Sequence, residues 1–182
     1  MKTATKISIT NGILVVIVVL LEYTRVVDFS MLLSYQWHKI LHIFGASLFI
    51  ANMIVGPIWF FYAYYSREKA LLQFADKLLR LTDITVTIPG LDLAVINGLF
   101  LASVYGGSSD APWLQYSVFL MIVMWFLTIP LLFIQEKIYK VIEFEPDNRV
   151  ELQKWIIRWS LLGSVVMIPP TIVFYLMIVK SI

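Results

Sequence analysis

This chain of 182 residues has no cysteine. Disulfides, iron–sulfur clusters and thiolate metal sites are therefore excluded. Charge is scarce as well: Asp, Glu, Lys and Arg make up 14% of the sequence, where a soluble domain carries about 25%. Histidine is scarcer still, with two copies, His38 and His42. No P-loop, catalytic triad or nucleic-acid signature is present, and the net charge of +2 gives a polyanion little to hold. What fills the chain is apolar. Hydrophobic residues reach 60%, against about 45–50% in soluble domains. No soluble domain of this length can hide so much apolar surface, so the chain belongs in a membrane.

A bilayer crossing needs about 20 mostly apolar residues, and five segments qualify. They run from about Ile7 to Tyr23, Gln36 to Tyr65, Asp83 to Tyr105, Trp113 to Gln135 (with a helical continuation to Ile142), and Trp155 to Val179. Lys2 and Lys6 before an apolar run imitate a signal peptide. No small-residue cleavage pattern follows, so the first segment reads as a retained helix. The expected fold is all-α: a polytopic membrane bundle of five transmembrane helices. Residues 1–30 form an N-terminal helix and residues 31–182 a four-helix core.

Positive charge in short loops sets orientation. Lys2, Lys6, Arg67, Lys69, Lys77, Arg80, Lys137, Lys140, Arg149, Lys154 and Arg158, eleven of fourteen basic residues, fall on one side of this arrangement. The expectation is a multi-pass protein of a bacterial inner (cytoplasmic) membrane, N-terminus cytoplasmic and C-terminus periplasmic. Aromatic belts agree: Trp37, Tyr105, Trp113 and Tyr116 near the outer interface, Tyr62, Tyr64, Tyr65, Tyr139, Trp155 and Trp159 near the inner one.

Pro57, Pro89, Pro130 and the pair Pro169-Pro170 sit inside spans and read as packing kinks. Small residues Gly45, Ala46, Ser47, Ala51 and Gly56 line the second span. Gly90, Ala94 and Gly98 line the third at spacings of four. Such faces let helices approach closely, so the second and third spans should pack together. Asn52, Asp92 and Asn97 then form a candidate intramembrane polar cluster. Asp92 is the costliest member and must be protonated or partnered. A hydrogen bond to Asn52, or to a backbone group freed by Pro89, is the expected partnership, with proton relay or contact to a cofactor propionate as the functional alternatives. The loop Gly106–Pro112 reads as a turn, since no basic residue there would cradle a phosphate.

The chemistry concentrates in Trp37-His38-Lys39-Ile40-Leu41-His42-Ile43-Phe44-Gly45. Ionisable groups at membrane depth are functional by default. Residues i and i+4 share a helix face, so His38 and His42 cannot be the two axial ligands of one haem. One can ligate while the other supports it, each can serve its own centre, or the pair can hold a single copper or zinc with further ligands from Met, Asp or a second protomer. Lys39 points about 100° away from His38 on the helical wheel and reads as snorkelling to the headgroups. His42, the deeper of the two histidines, is the better candidate for cofactor or metal ligation.

Lys39-x-x-His42-x-x-Gly45, opening an apolar helix, resembles the first core helix of a superfamily of small membrane proteins. It includes the CopD copper-resistance proteins, the HemJ-type protoporphyrinogen oxidases and several uncharacterised predicted integral membrane families. Residues from about 36 to 180 look most like one of the uncharacterised families. The pattern of Pro89 and Gly98, and Pro130-x-x-x-x-Gln135 followed by a basic stretch, add to the likeness. The resemblance implies a four-helix bundle with haem b, or alternatively copper, near His42. It carries over Lys39, His42 and Gly45 as cofactor-binding positions, with His38 beside them. The chain has no histidine after His42 and lacks the further basic and histidine signatures of HemJ-type enzymes, which argues against protoporphyrinogen oxidation. It also lacks the Met/His-rich outer segment expected of a CopD protein.

Three functions follow as expectations. The first is a haem b protein passing electrons, with quinone or another membrane subunit as partner. The second is an accessory subunit, in a larger membrane complex or a homo-oligomer, with no cofactor of its own. The third is copper handling. No pair of matching broken helices marks an inverted-repeat transporter.

Overall fold

The computed structural model describes residues 3–180; Lys2, counted above for orientation, lies outside them. The chain is a bundle of helices that crosses its long axis five times. Helix α1 (Thr3–Tyr23) is the first crossing and α2 (Tyr35–Ser66) the second. The third joins α3 (Lys69–Thr82), a π-helical turn (Asp83–Thr87), α4 (Ile88–Ala102) and a 3₁₀ turn (Ser103–Tyr105). Helix α5 (Pro112–Phe144) is the fourth, and α6 (Arg149–Val166) with α7 (Ile168–Val179) make the fifth. All five are long and apolar enough to span a membrane. The all-α polytopic bundle expected from hydropathy is what forms.

The bundle has two unlike ends. The basic end carries the α2–α3 and α5–α6 connections, with Arg67, Lys69 and Arg149 exposed. The histidine end carries the start of α2 and the loop between the 3₁₀ turn and α5. Helix α2 pairs most extensively with α4, α5 packs on α6 and α7, and α1 lies against α4 and α5.

Two boundaries depart from the hydropathy reading, for one reason. The third crossing begins at Lys69 instead of Asp83, and the fifth at Arg149 instead of Trp155. Helices of 32 and 33 residues, α2 and α5, reach about 50 Å at 1.5 Å per residue, well beyond a hydrocarbon core of about 30 Å. At the basic end they carry α3 and the start of α6 with them. A separate core forms there from Phe60, Leu79, Ile138, Ile142, Ile156 and Trp159. Helix α3 turns Leu72, Ala75 and Leu79 into that core and leaves Lys69 and Lys77 exposed. A window that averages hydropathy cannot see such an amphipathic helix as part of a span.

The prolines divide into two kinds. Pro57 and Pro130 sit inside uninterrupted helices. Pro89 follows the π turn, and Pro169-Pro170 follow the break at Met167. In the latter two cases the missing N–H falls where the α-helical ladder already changes register or breaks. Trp113 and Trp159, expected as interfacial anchors, are buried at 8% and 6% exposure. Trp159 packs on Phe60 and Phe61; Trp113 meets Tyr105 edge-on.

At the histidine end, Gly106 and Gly107 adopt φ of 89° and 118°, values that L side chains rarely reach. They present Ser108 to the buried Glu22 of α1, which accepts from the Ser108 backbone N–H at 2.9 Å and from its hydroxyl. Arg25 pairs with Asp110 in the same loop. The last described residue, Lys180, donates to the Tyr105 hydroxyl at 2.9 Å, a bond that raises its ammonium above the usual lysine range.

Candidate functional site

The site is built on the seam between α2 and α4. Gly45 and Gly90 bring the two backbones together. A Cβ at Gly45 would stand 2.6 Å from Ala94 N and from Gly90 O, and one at Gly90 would stand 2.9 Å from Gly45 O. Both distances are shorter than any real contact, so only glycine fits. This crossing fixes the rotation of α2 and turns His38 and His42 toward α4. The close packing expected of the second and third spans is therefore present, and Gly45 is its pivot.

His38 is buried at 2% exposure. Its Nε2 lies 3.1 Å from the backbone N–H of Leu33, which donates to it. An Nε2 that accepts has no proton, so the neutral ring carries its hydrogen on Nδ1. That N–H donates to Asn97 Oδ1 at 2.8 Å, and Asn97 Nδ2 donates in turn to Leu93 O at 2.8 Å. The ring stacks on Phe100 at 4.5 Å between centroids. Both ring nitrogens are used, and a metal could gain one only by breaking a buried hydrogen bond.

His42 is different. Its Nδ1 lies 2.6 Å from Ala94 O. A carbonyl only accepts, so Nδ1 carries the proton and donates. Among the described residues no hydrogen bond reaches Nε2. Gly98 makes the room: a Cβ there would sit 3.2 Å from His42 Nδ1 and Cε1. An imidazole whose Nδ1–H is held by a backbone carbonyl, with the Nε2 lone pair left over, is the usual arrangement of a metal-ligating histidine. Lys39 is exposed on the flank of α2.

The three intramembrane polar residues do not meet one another. Asn97 belongs to His38. Asp92 accepts from Asn11 Nδ2 of α1 at 2.9 Å, in place of the expected Asn52 or a backbone group freed by Pro89. The N-terminal helix α1 supplies this donor. Asn52 Nδ2 donates instead to Thr87 Oγ1 at 2.6 Å and to Asp83 Oδ1 at 3.3 Å.

A second polar group, absent from the sequence expectations, forms around Arg80. At the basic end Arg80 Nε donates to Asp76 Oδ2 at 3.1 Å, its Nη2 donates to Gln135 O at 2.6 Å, and Nη1 stands 3.7 Å from Glu136 Oε2. Thr5 of α1 donates to the same Glu136 oxygen at 3.3 Å. Asp76 and Glu136 are buried. Its signal in the sequence is Asp76, Arg80, Asp83 and Thr87 at spacings of four, three and four, one face of a helix.

The cavities bear on what the site can hold. One of about 20 Å³ opens among Arg67, Leu72, Ile142 and Arg149. A shallow one of about 200 Å³ lies along Met167, Ile168, Thr171 and Ile172. Neither touches the histidines. Among the described residues no group of three or more His, Asp or Glu gathers around a common point. The donor at His42 fits a haem iron: its Nδ1 is held by Ala94 O, which leaves the Nε2 lone pair for a metal.

A family model described as a predicted integral membrane protein, DUF2269, matches residues 36–181. Helix α1 lies ahead of the matched region. No curated protein and no solved structure matches the chain.

Proposed function

The chain belongs to the DUF2269 family of predicted integral membrane proteins, and from that premise we propose that it is a haem b subunit which contributes one axial ligand, His42 Nε2, to an electron-transfer centre in the membrane. The observation that carries this reading is the contrast between the two imidazoles. His38 spends both nitrogens on protein; His42 spends one on Ala94 O and keeps the other. The likeness of Lys39-x-x-His42-x-x-Gly45 to the CopD and HemJ-type superfamily supports the same position.

Residues have distinct parts in this account. Ala94 O fixes the tautomer of His42. Gly98 admits the ring, Gly45 with Gly90 sets the helix rotation, and His38 with Asn97 locks the turn above. When bound, the haem supplies one-electron chemistry. A further donor to the iron would come from a partner subunit or a second copy, and quinone is the fitting small-molecule partner. We place the N-terminus in the cytoplasm of a bacterial inner membrane and the C-terminus in the periplasm, on the asymmetry of the basic residues.

The test is the absorption spectrum of the purified protein, expressed with haem available, before and after dithionite. A Soret band that shifts on reduction supports the proposal. A colourless protein overturns it. The second reading, an accessory subunit with no cofactor, is favoured by one observation: neither of the two cavities described above touches His42. Copper handling would need donors beyond His42, since His38 is committed to Asn97 and Leu33.

A further inference from the structure

Three carboxylates, Asp76, Asp83 and Glu136, come together with the Arg80 guanidinium at the basic end. Asp76 and Glu136 are buried, beside a membrane core in which an ionised group is strongly unfavourable unless it is partnered. The guanidinium is unevenly shared. Its Nε serves Asp76, its Nη2 serves the Gln135 carbonyl, its Nη1 faces Glu136, and its plane lies over the Tyr139 ring at 4.8 Å. Asp83 is left with neutral hydrogen-bond donors. Its Oδ1 accepts from Asn52 Nδ2 at 3.3 Å and from Thr87 Oγ1 at 3.4 Å, and the Gln135 side chain also bonds to it. Arg80 reaches Asp83 through space only.

Asp83 also opens the π-helical turn Asp83–Thr87. The i→i+5 ladder of such a turn is found mostly as a single bulge at functional positions. Here it sits where the amphipathic α3 gives way to the apolar α4, so Asp83 stands between the water of the basic end and the membrane core.

We propose that Asp83 is a proton-exchange site: it takes up and releases a proton through the Arg80 network, with Asn52, Thr87 and Gln135 holding the carboxyl in both states. The charged groups that face it are Arg80 from α3 and, beyond the guanidinium, Asp76 from α3 and Glu136 from α5. Helix α2 contributes the neutral Asn52, and α1 reaches the network through Thr5. A proton is the whole ligand, so the step forms one O–H bond on the carboxylate and breaks one in the donor water. The inference is independent of the haem reading, since none of these residues touches His42.

The experiment is infrared difference spectroscopy on the full-length protein in nanodiscs, stepped from about pH 8 to about pH 5 in H₂O and in D₂O. A carboxyl band should appear on acidification, shift in D₂O, be lost in Asp83→Asn and persist in Asp92→Asn. A band that survives Asp83→Asn, or the lack of any carboxyl band, overturns the proposal. Should Asp83→Asn fail to fold, Asn52→Leu keeps the carboxyl and removes one donor. The band should then move in frequency, and an unmoved band would count against Asp83 as its source.

Discussion

At the scale of single residues, two histidines one turn apart have opposite chemistry because they meet different groups across the seam. His38→Ala strands the buried Asn97 Oδ1 and takes the acceptor from the half-buried Leu33 N–H. Unsatisfied buried polar groups cost about 1–3 kcal/mol each, so the melting temperature in detergent should fall while any His42-bound pigment persists. Asn11→Leu should destabilise the protein by removing the hydrogen bond that Asn11 donates to Asp92, and Asn11→Leu with Asp92→Leu together should recover most of that loss. A double-mutant cycle measures the coupling, expected at about 0.5–2 kcal/mol; additive effects would show that the pair is not formed. The shared face of His38 and His42 was legible from their spacing alone. Their tautomers were not, because these depend on Asn97 and on Ala94 O, more than fifty residues along the chain. Asp92 was legible as a residue needing a partner, but its partner Asn11 is 81 residues away, on a helix that the sequence reading treated as an addition.

At the scale of elements, the α2–α4 crossing determines the site. Small residues at spacings of four announced it, and Gly45 and Gly90 meet as that pattern requires. Gly45→Leu drives a side chain into the α4 backbone. Overpacking typically costs about 1–3 kcal/mol; here rigid backbone atoms are the obstacle, so the upper end or beyond is expected, read as a lower melting temperature together with loss of the His42 site. An unchanged melting temperature would mean that the helices are not in backbone contact. Helix α3 was hidden because Lys69, Asp76, Lys77 and Arg80 depress its hydropathy. Two of those charges point inward and pair, which no average over a window can register. Arg80→Ala tests that pairing: removing the guanidinium from between the buried Asp76 and Glu136 should cost about 3–5 kcal/mol in a thermal melt.

At the scale of the whole molecule, five crossings were legible because a bilayer imposes a length that soluble folds do not. Orientation follows from the basic residues, and a chain without cysteine offers a clean way to test it. Val26 and Val150 are exposed at opposite ends, at 69% and 82%. In intact cells a membrane-impermeant maleimide should label Val26→Cys and reach Val150→Cys only after permeabilisation; the reverse would invert the topology. The central claim concerns the one imidazole left with a spare nitrogen. The most direct measurement is the reduced-minus-oxidised absorption spectrum of the wild type beside His42→Ala and His38→Ala, all expressed with haem available. The account predicts a Soret band in the wild type and in His38→Ala, and its loss in His42→Ala. A colourless wild type, or a pigment that survives His42→Ala, would contradict it.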